Sequence, residues 1–365
     1  MTATKRAGAA LAVLFIAATA HGHEPDVTRL PIGDGKRSDA PKVGWLWACR
    51  IEEDGRGPLV TGPWIKADGT YDFSAKPAIA GAVTWPHRFF MSIAGNRRVF
   101  TSDDLPNHPT GVFPVAPEDP ARRYDPNPNR ITPQRVEFSV PAEPALATPQ
   151  CAPGAVGILL TGTVLFNGFD ANGHDAVAHE LQDKCQGHPQ QSGTYHYHSV
   201  TTCFDDTTLP NGHSTLVGYA IDGFGIYGRR GEGGAVLSST DLDPCHGHTH
   251  TIEWNGKTVE MYHYHGTQDF PYTVGCLRGT YELGAVAALS GGPRGGMSAR
   301  PGPPSVGGPP RRPLSDVALQ LGIPEARLRE ALGPPPPDIE SAARKLGISA
   351  QTLRDALGAP HRPFN

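Results

Sequence analysis

The sequence has little charge and lacks a long apolar run. Only 19% of the 365 residues are charged, and 32 Lys plus Arg face 36 Asp plus Glu, for a formal net charge of -4. Nucleic-acid-binding domains are usually strongly basic, so nucleic acid is not an expected partner. No apolar run reaches about 18 residues, the length typical of a membrane-spanning helix. We therefore expect no integral membrane segment once the N-terminal leader described below is removed.

Three common catalytic signatures are missing as well. The chain has no Gly-x-Ser-x-Gly nucleophile elbow, no glycine-rich phosphate loop and no dinucleotide-binding fingerprint. Serine-hydrolase chemistry, and chemistry that uses nucleotides, flavins or nicotinamides, are therefore poorly supported. The sequence alone leaves open whether the protein is an enzyme.

Glycine and proline are abundant instead, with 44 and 37 residues. Both interrupt helices, which argues against a helical bundle or coiled coil as the main body. From about residue 42 to residue 284, short runs rich in β-branched and aromatic residues alternate with Gly, Pro and Asn-Gly turns. This pattern predicts a mainly β domain over residues 24–284, built as an antiparallel sandwich or an irregular barrel.

The first 20 residues have the features of a secretory signal peptide. A basic pair at positions 5 and 6 precedes an apolar stretch that ends in Ala18-Thr19-Ala20, a small-residue cleavage pattern. We therefore expect a periplasmic or secreted protein. The six cysteines of such an exported chain are expected to form three disulfides.

The strongest pattern is a duplicated motif inside the β domain. An Asp, a Cys two residues later and a Gly-His pair precede a Tyr-His-Tyr-His tetrapeptide, and this order of residue types occurs twice. The two copies are residues 183–188 with 195–198, and residues 243–248 with 262–265. One cysteine follows each tetrapeptide, which favours the pairs Cys185–Cys203 and Cys245–Cys276 and leaves Cys49 with Cys151.

Strand geometry places the histidines of each tetrapeptide on one face, because alternate residues of a strand point the same way. In the second copy, Asn255-Gly256 is a two-residue hairpin signal that pairs Trp254 with Lys257. The same register places His248 opposite His263. It also pairs Ile252 with Val259, His250 with Met261 and, less securely, His246 with His265.

These facing imidazoles predict a metal site. Neutral imidazole binds zinc, copper, iron and nickel, and opposed strand residues are close enough to share one ion. The predicted ligands are His188, His196, His198, His248, His263 and His265, with copper, zinc or iron as the ion. Asp222 is predicted to orient a histidine or to act as a general base beside a metal-bound water. Ligation by the Cys185 thiolate is a weaker alternative to its disulfide. His174, His179 and His213 lie in turn-rich segments and are assigned to the surface.

These motifs resemble the YHYH-domain family of exported bacterial proteins, which is named for the tetrapeptide. Further matching segments are residues 166–169, 187–189, 222–228 and 270–276, so the resemblance covers residues 156–279. Gly225 departs from the pattern, because the family usually has proline there. The resemblance implies an exported protein and does not name a reaction.

The C-terminal part has a different composition. Residues 285–313 are rich in Gly, Pro, Ser and Arg, which predicts a flexible linker. Residues 314–360 hold a tandem repeat of period 25, in which Leu321-Gly322-Ile323 recurs at positions 346–348. Two small helical hairpins are predicted, and we expect them to serve as a spacer or to dock on a cell-envelope glycan or protein.

The sequence is compatible with two functions. The first is an exported metal-binding protein that uses the histidine face, with redox or hydrolytic activity as a further step. The alternative is a non-catalytic envelope module that binds carbohydrate or a protein partner, with structural histidines. Metal content distinguishes the two.

Overall fold

The computed structural model describes residues 24–50, 58, 60–204, 207–291, 314–333 and 338–357. The predicted signal peptide and most of the predicted linker lie outside these residues. Within them the protein is mainly β, as predicted, with a group of helices near the C-terminal end. No described helix is both long enough and apolar enough to cross a membrane.

The strands of the described residues are short. In chain order they are β1 (Leu30–Pro31), β2 (Thr70–Tyr71), β3 (Phe89–Ala94), β4 (Arg97–Ser102), β5 (Val136–Pro141), β6 (Ala155–Leu159), β7 (Val164–Phe166), β8 (Gly187–Pro189), β9 (Tyr195–Tyr197), β10 (Leu216–Ala220), β11 (Gly225–Tyr227), β12 (Gly247–Trp254) and β13 (Lys257–His265). They form a two-stranded sheet (β1-β2), a three-stranded sheet (β3-β4-β5) and an eight-stranded sheet in the order β12-β13-β11-β10-β6-β7-β9-β8.

The eight-stranded sheet consists of two equivalent halves. In the first half, the hairpin β6-β7 is followed by β9, which lies beside β7, and by β8 at the edge. In the second half, β10-β11, β13 and β12 repeat this arrangement. The halves meet where β6 and β10 pair in antiparallel fashion. The duplicated sequence motif is therefore a duplicated structural unit.

The pairing of this sheet is mixed, whereas the sequence pattern predicted an antiparallel arrangement. β7 is parallel to β9 and β11 is parallel to β13. In each half the chain leaves the hairpin through a long connection and returns in the same direction, which a parallel pair requires. The sheet does not close into a barrel, because β12 and β8 form its two edges.

Much of the large sheet is buried, although β12 and the first half of β13 carry exposed residues. Every residue of β6 and of β9 is buried. The three-stranded sheet packs on β10 through Phe100, whose ring lies 4.9 Å from that of Phe138 and 5.4 Å from that of Tyr219. The buried polar side chains of this sheet therefore need partners within the protein.

Six α-helices complete the described structure. They are α1 (Ala176–His179), α2 (Leu283–Leu289), α3 (Leu314–Leu321), α4 (Glu325–Leu332), α5 (Ile339–Leu346) and α6 (Ala350–Leu357). The start of the predicted linker is wrong, because α2 occupies residues 283–289 and buries Ala285, Val286 and Leu289 in the core of the β domain. Helices α3 to α6 form two hairpins around a core of their own.

Candidate metal centres

The first half of the sheet gathers three buried histidines. β8 pairs with β9 so that His188 lies opposite His196, and His198 follows directly after β9. The Nε2 atoms of His196 and His198 are 3.2 Å apart, and each of the three side chains is 3% exposed. The predicted convergence of these histidines is present in the structure.

A carboxylate that the sequence analysis missed completes this group. Glu180 directly follows α1, a one-turn helix that is capped by the Asp175 side chain. Its Oε2 atom lies 3.4 Å from His188 Nε2 and 3.2 Å from His198 Nε2. We call Glu180, His188, His196 and His198 centre 1.

Several polar atoms of centre 1 have no hydrogen-bond partner among the described residues. Both ring nitrogens of His188 and the Oε2 atom of Glu180 are buried and make no hydrogen bond of adequate geometry. A buried polar group without a partner costs about 1–3 kcal/mol, and more if it is charged. Of these atoms, His188 Nε2 and Glu180 Oε2 lie 3.4 Å apart, a spacing at which both are able to bind one cation.

The second half gathers four histidines. The β12-β13 hairpin has the predicted register, with Trp254 opposite Lys257 and His248 opposite His263. The Nε2 atoms of His248, His263 and His265 form a triangle with three sides of 3.1 Å. The Nε2 atom of His213 lies 3.2 Å from that of His263. We call these four histidines centre 2.

His213 corrects a prediction, because the sequence analysis assigned it to the surface. Its side chain is fully buried. A tight turn at Gly212 (φ 84°) is closed by a bond from Leu209 N–H to the His213 carbonyl, and it directs the chain back toward β13. The turn-rich sequence around His213 therefore does not place its side chain at the surface. Among the other histidines assigned to the surface, His174 is half exposed and His179 pairs with Asp34.

At the far end of the hairpin face, the structure differs from the predicted pairing of His246 with His265. His246 lies before β12, with a positive φ of 74°. Its Nδ1 atom donates to the His265 carbonyl, and its Nε2 atom contacts the hydroxyls of Ser239 and Thr267. His246 therefore belongs to a separate hydrogen-bond network and not to centre 2.

Backbone carbonyls determine which nitrogen of each ring carries the proton. The Nδ1 atoms of His213, His263 and His265 lie 2.7, 3.0 and 2.6 Å from the carbonyls of Ser214, Met261 and Gly228. A carbonyl only accepts, so each Nδ1 must be the protonated donor. In a neutral ring the Nε2 atom then carries a bare lone pair. In centre 1, His198 Nδ1 lies 2.6 Å from the Asn167 carbonyl, so it too is the protonated nitrogen of its ring.

Burial keeps most of these rings neutral. It lowers the pKa of His263 to about 3 and, together with His213 and His250, that of His248 to about 4. Burial also lowers the pKa of His188, His196, His213 and His265. Burial acts in the same direction on His198, but its contact with Glu180 outweighs this and raises the pKa.

The tyrosines of both tetrapeptides face away from the centres. Tyr195 donates to Asp183 at 2.8 Å, and Tyr262 donates to Asp243 at 3.0 Å. Each Asp also accepts the backbone N–H groups of the Cys and the Gly of its own motif, so the Asp of the motif fixes the turn that begins β8 or β12. The repeated aspartates therefore hold the histidine strands in place from the opposite face.

Asp222 also lies on the tyrosine face, contrary to its predicted contact with a histidine. Its carboxylate accepts the Tyr264 hydroxyl at 2.6 Å and the backbone N–H groups of Phe224, Arg278 and Gly279. The side chain is fully buried, and burial raises its pKa. Asp222 therefore supports centre 2 indirectly, through the tyrosine that separates its two β13 histidines.

The structure has the three predicted disulfides, Cys49–Cys151, Cys185–Cys203 and Cys245–Cys276. The bonds of Cys185 and Cys245 each close a loop that contains one tetrapeptide. Thiolate ligation by Cys185, the weaker alternative, is excluded in this oxidised form because the sulfur is bonded to Cys203. Three disulfides in one chain indicate an oxidising compartment outside the cytoplasm.

Comparison with known proteins matches one part of the chain to a family. The model of the family described as "YHYH protein" matches residues 137–235. Residues 137–235 are therefore similar to the YHYH family. The match contains the first tetrapeptide and His213 but ends before β12, so the hairpin of centre 2 lies outside the matched segment of the YHYH domain. No curated protein and no solved structure matches the chain.

Proposed function

We propose that this protein binds two transition-metal ions outside the cytoplasm, one in centre 1 and one in centre 2. The observation that carries the proposal is the convergence of bare Nε2 lone pairs in centre 2. The Nε2 atoms of His248, His263 and His265 lie 3.1 Å from one another, and the carbonyls that accept from Nδ1 of His263 and His265 leave the Nε2 atoms of these two neutral rings without a proton. The bare lone pairs of His263 and His265 repel at this distance unless a cation lies between them.

The spacing of the donors favours zinc. Zinc bonds to imidazole nitrogen are about 2.0–2.1 Å long, which places two ligands of a tetrahedral ion about 3.3 Å apart. The separations of 3.1 and 3.2 Å in both centres are close to this value. A square-planar ion, the preference of Cu(II) and Ni(II), requires one ligand pair to lie opposite each other, and an equilateral triangle of donors does not provide such a pair.

The number of donors supports metal binding more than turnover. Centre 2 offers four converging imidazoles and centre 1 offers three, with the Glu180 carboxylate 3.4 and 3.2 Å from two of them as a fourth donor. Structural zinc sites have four protein ligands, whereas catalytic sites leave a position open for water or substrate. We therefore favour a stabilising, storing or delivering role over the hydrolytic or redox activity considered from the sequence.

Metal analysis of three proteins tests the proposal. The full chain, purified from the periplasm without a histidine tag, is compared with His196→Ala/His198→Ala and with His263→Ala/His265→Ala. We expect two zinc equivalents in the parent and one in each variant, with circular dichroism confirming that the variants are folded. A parent that contains no metal and takes up none from zinc-containing buffer would contradict the proposal. That result would support the alternative of a non-catalytic envelope module with structural histidines.

A further inference from the structure

The two centres differ in their access to solvent. The three histidines of centre 1 are all buried, and its Glu180 side chain is 14% exposed. In centre 2, His248 is only half-buried, and a fifth histidine, His250, lies beyond it on the same face of β12. The imidazole of His250 is 17% exposed, and its Nε2 atom contacts the carboxylate of Glu232, which is 65% exposed. Potential ligands therefore continue from centre 2 to the surface.

His250 is positioned to pass an ion inward without being a resident ligand. Its ring stacks on that of His213, with centroids 5.8 Å apart and planes inclined by 6°, and lies 5.8 Å from the ring of His248. The donor atoms of centre 2 lie within 4.8 Å of one another, and His250 is not part of that group. Its Nδ1 atom donates to the Thr251 carbonyl, so the Nε2 atom is the one available at the Glu232 carboxylate.

The first half of the sheet provides an internal comparison. His188 and His248 occupy equivalent positions, so Gln190 is the counterpart of His250, and Thr194 is the counterpart of Met261. The Gln190 amide donates to the carbonyl of Ser290 after α2 at 3.1 Å. An amide bound in this way is a poor ligand for a transition metal, and the buried Thr194 has no sulfur. The pair of His250 and Glu232, which we call the rim, is thus a property of the second half.

We propose that His250 and Glu232 form an acquisition site through which centre 2 takes up and releases its divalent transition-metal ion. The ion first binds the exposed carboxylate and the His250 Nε2 atom, and then moves to the imidazoles of His213 and His248. Centre 1 has no such rim and exchanges slowly. This inference rests on the proposed function, because it requires that centre 2 binds a metal.

Metal transfer from the full-length, zinc-loaded protein to a chromophoric chelator tests the inference. We expect a fast phase from centre 2 and a slow phase from centre 1, which the two double-alanine variants of the previous section assign. His250→Gln places the residue of the first half at the rim, and Glu232→Gln removes the charge. Each should slow the fast phase by about tenfold or more. A group that acts only along the route changes uptake and release by the same factor, so zinc affinity and the stoichiometry of two should not change.

The matched control is His174→Gln, which removes an exposed histidine outside both centres and should leave both phases unchanged. Unchanged fast transfer in His250→Gln and Glu232→Gln, with two zinc ions bound, would overturn the inference and leave the proposed function intact. A stoichiometry of one in His250→Gln would also overturn it, because His250 would then be a resident ligand. A wild-type protein that binds no zinc would overturn both.

Discussion

Centre 1 and centre 2 are built on the same strand frame but are completed in different ways. In both, an edge strand presents a histidine opposite the first histidine of a Tyr-His-Tyr-His strand, and backbone carbonyls hold the rings. The fourth donor is Glu180 in one and His213 in the other, and these come from unrelated positions of the two halves. The repeat therefore provides three donors per centre, and the connections between strands provide the fourth.

This difference changes the charge and the exposure of each centre. In centre 1 a carboxylate neutralises one charge of a divalent ion, whereas the four neutral imidazoles of centre 2 leave the ion with its full charge. The more highly charged centre is also the one with a path to solvent beside it, because His250 and the exposed Glu232 continue from it to the surface. Burial of an uncompensated charge is costly, so a four-histidine site is better tolerated at the less buried end of the sheet.

The largest effect is expected from removal of metal from both centres. A ligand present at about 1,000-fold above its Kd stabilises the folded state by about 4 kcal/mol per site. Chelation should therefore lower Tm markedly, and readdition of zinc should restore it. Differential scanning calorimetry with and without chelator measures this, with each double-alanine variant expected to lose about half of the shift. A Tm that does not change when chelator is added would contradict the proposed metal binding.

Acid should destabilise the metal-free protein through centre 2. The pKa of His263 is about 3 and that of His248 about 4 in the folded protein, against a usual value of 6.5. Between the folded-state pKa values and 6.5, these histidines bind more protons in the unfolded chain than in the folded protein. The free energy of unfolding therefore falls as pH decreases below 6.5. Urea titrations at pH 7.5 and pH 5.5 check this. His263→Ala/His265→Ala should show a weaker dependence on pH than the parent.

Replacement of Glu180 should affect centre 1 alone. Glu180→Gln keeps the shape of the side chain and removes its charge, so we expect zinc affinity to fall by about tenfold or more at centre 1, which is about 1.4 kcal/mol. Centre 2 should be unchanged. Competition with a chelator of known affinity measures the zinc affinity of centre 1. The measurement uses the His263→Ala/His265→Ala background, which lacks centre 2. Equal affinities for Glu180→Gln and the parent would show that the carboxylate is not a ligand.

The smallest expected quantity is the difference in stability, about 1 kcal/mol, between variants of the tyrosine faces of the two halves. Tyr264 donates to the buried Asp222 carboxylate, whereas the equivalent Tyr197 contacts the neutral groups His108 and Thr161. Tyr264→Phe should cost about 1.5–3 kcal/mol of stability and Tyr197→Phe about 0.5–1.5 kcal/mol. Chemical denaturation of the two variants measures the difference, and a larger cost for Tyr197→Phe would reverse our ranking.

Features that depend on local patterns were predictable from the sequence. The β class, the duplicated frame, the hairpin register from Asn255-Gly256 and the three disulfides are all present in the structure. Each rests on strand alternation, a turn dipeptide or a repeated spacing.

Glu180 and His213, the two donors that the sequence analysis missed, are not marked by a local sequence pattern of this kind. Glu180 follows a one-turn helix, and His213 follows a turn, and each occurs in only one half. Their positions result from how long connections fold back over the sheet. The role of Asp222 was predicted wrongly for a related reason, because the face to which a turn residue points depends on the strands packed around it.

Anomalous diffraction at the zinc absorption edge, on crystals of the full-length protein grown with zinc, tests the central claim most directly. The account predicts two anomalous peaks per chain. One lies about 2.0–2.2 Å from the Nε2 atoms of centre 2, and the other lies equally close to the three imidazoles and the Glu180 carboxylate of centre 1. Well-ordered histidines with no peak among them, or peaks only at other positions, would contradict it.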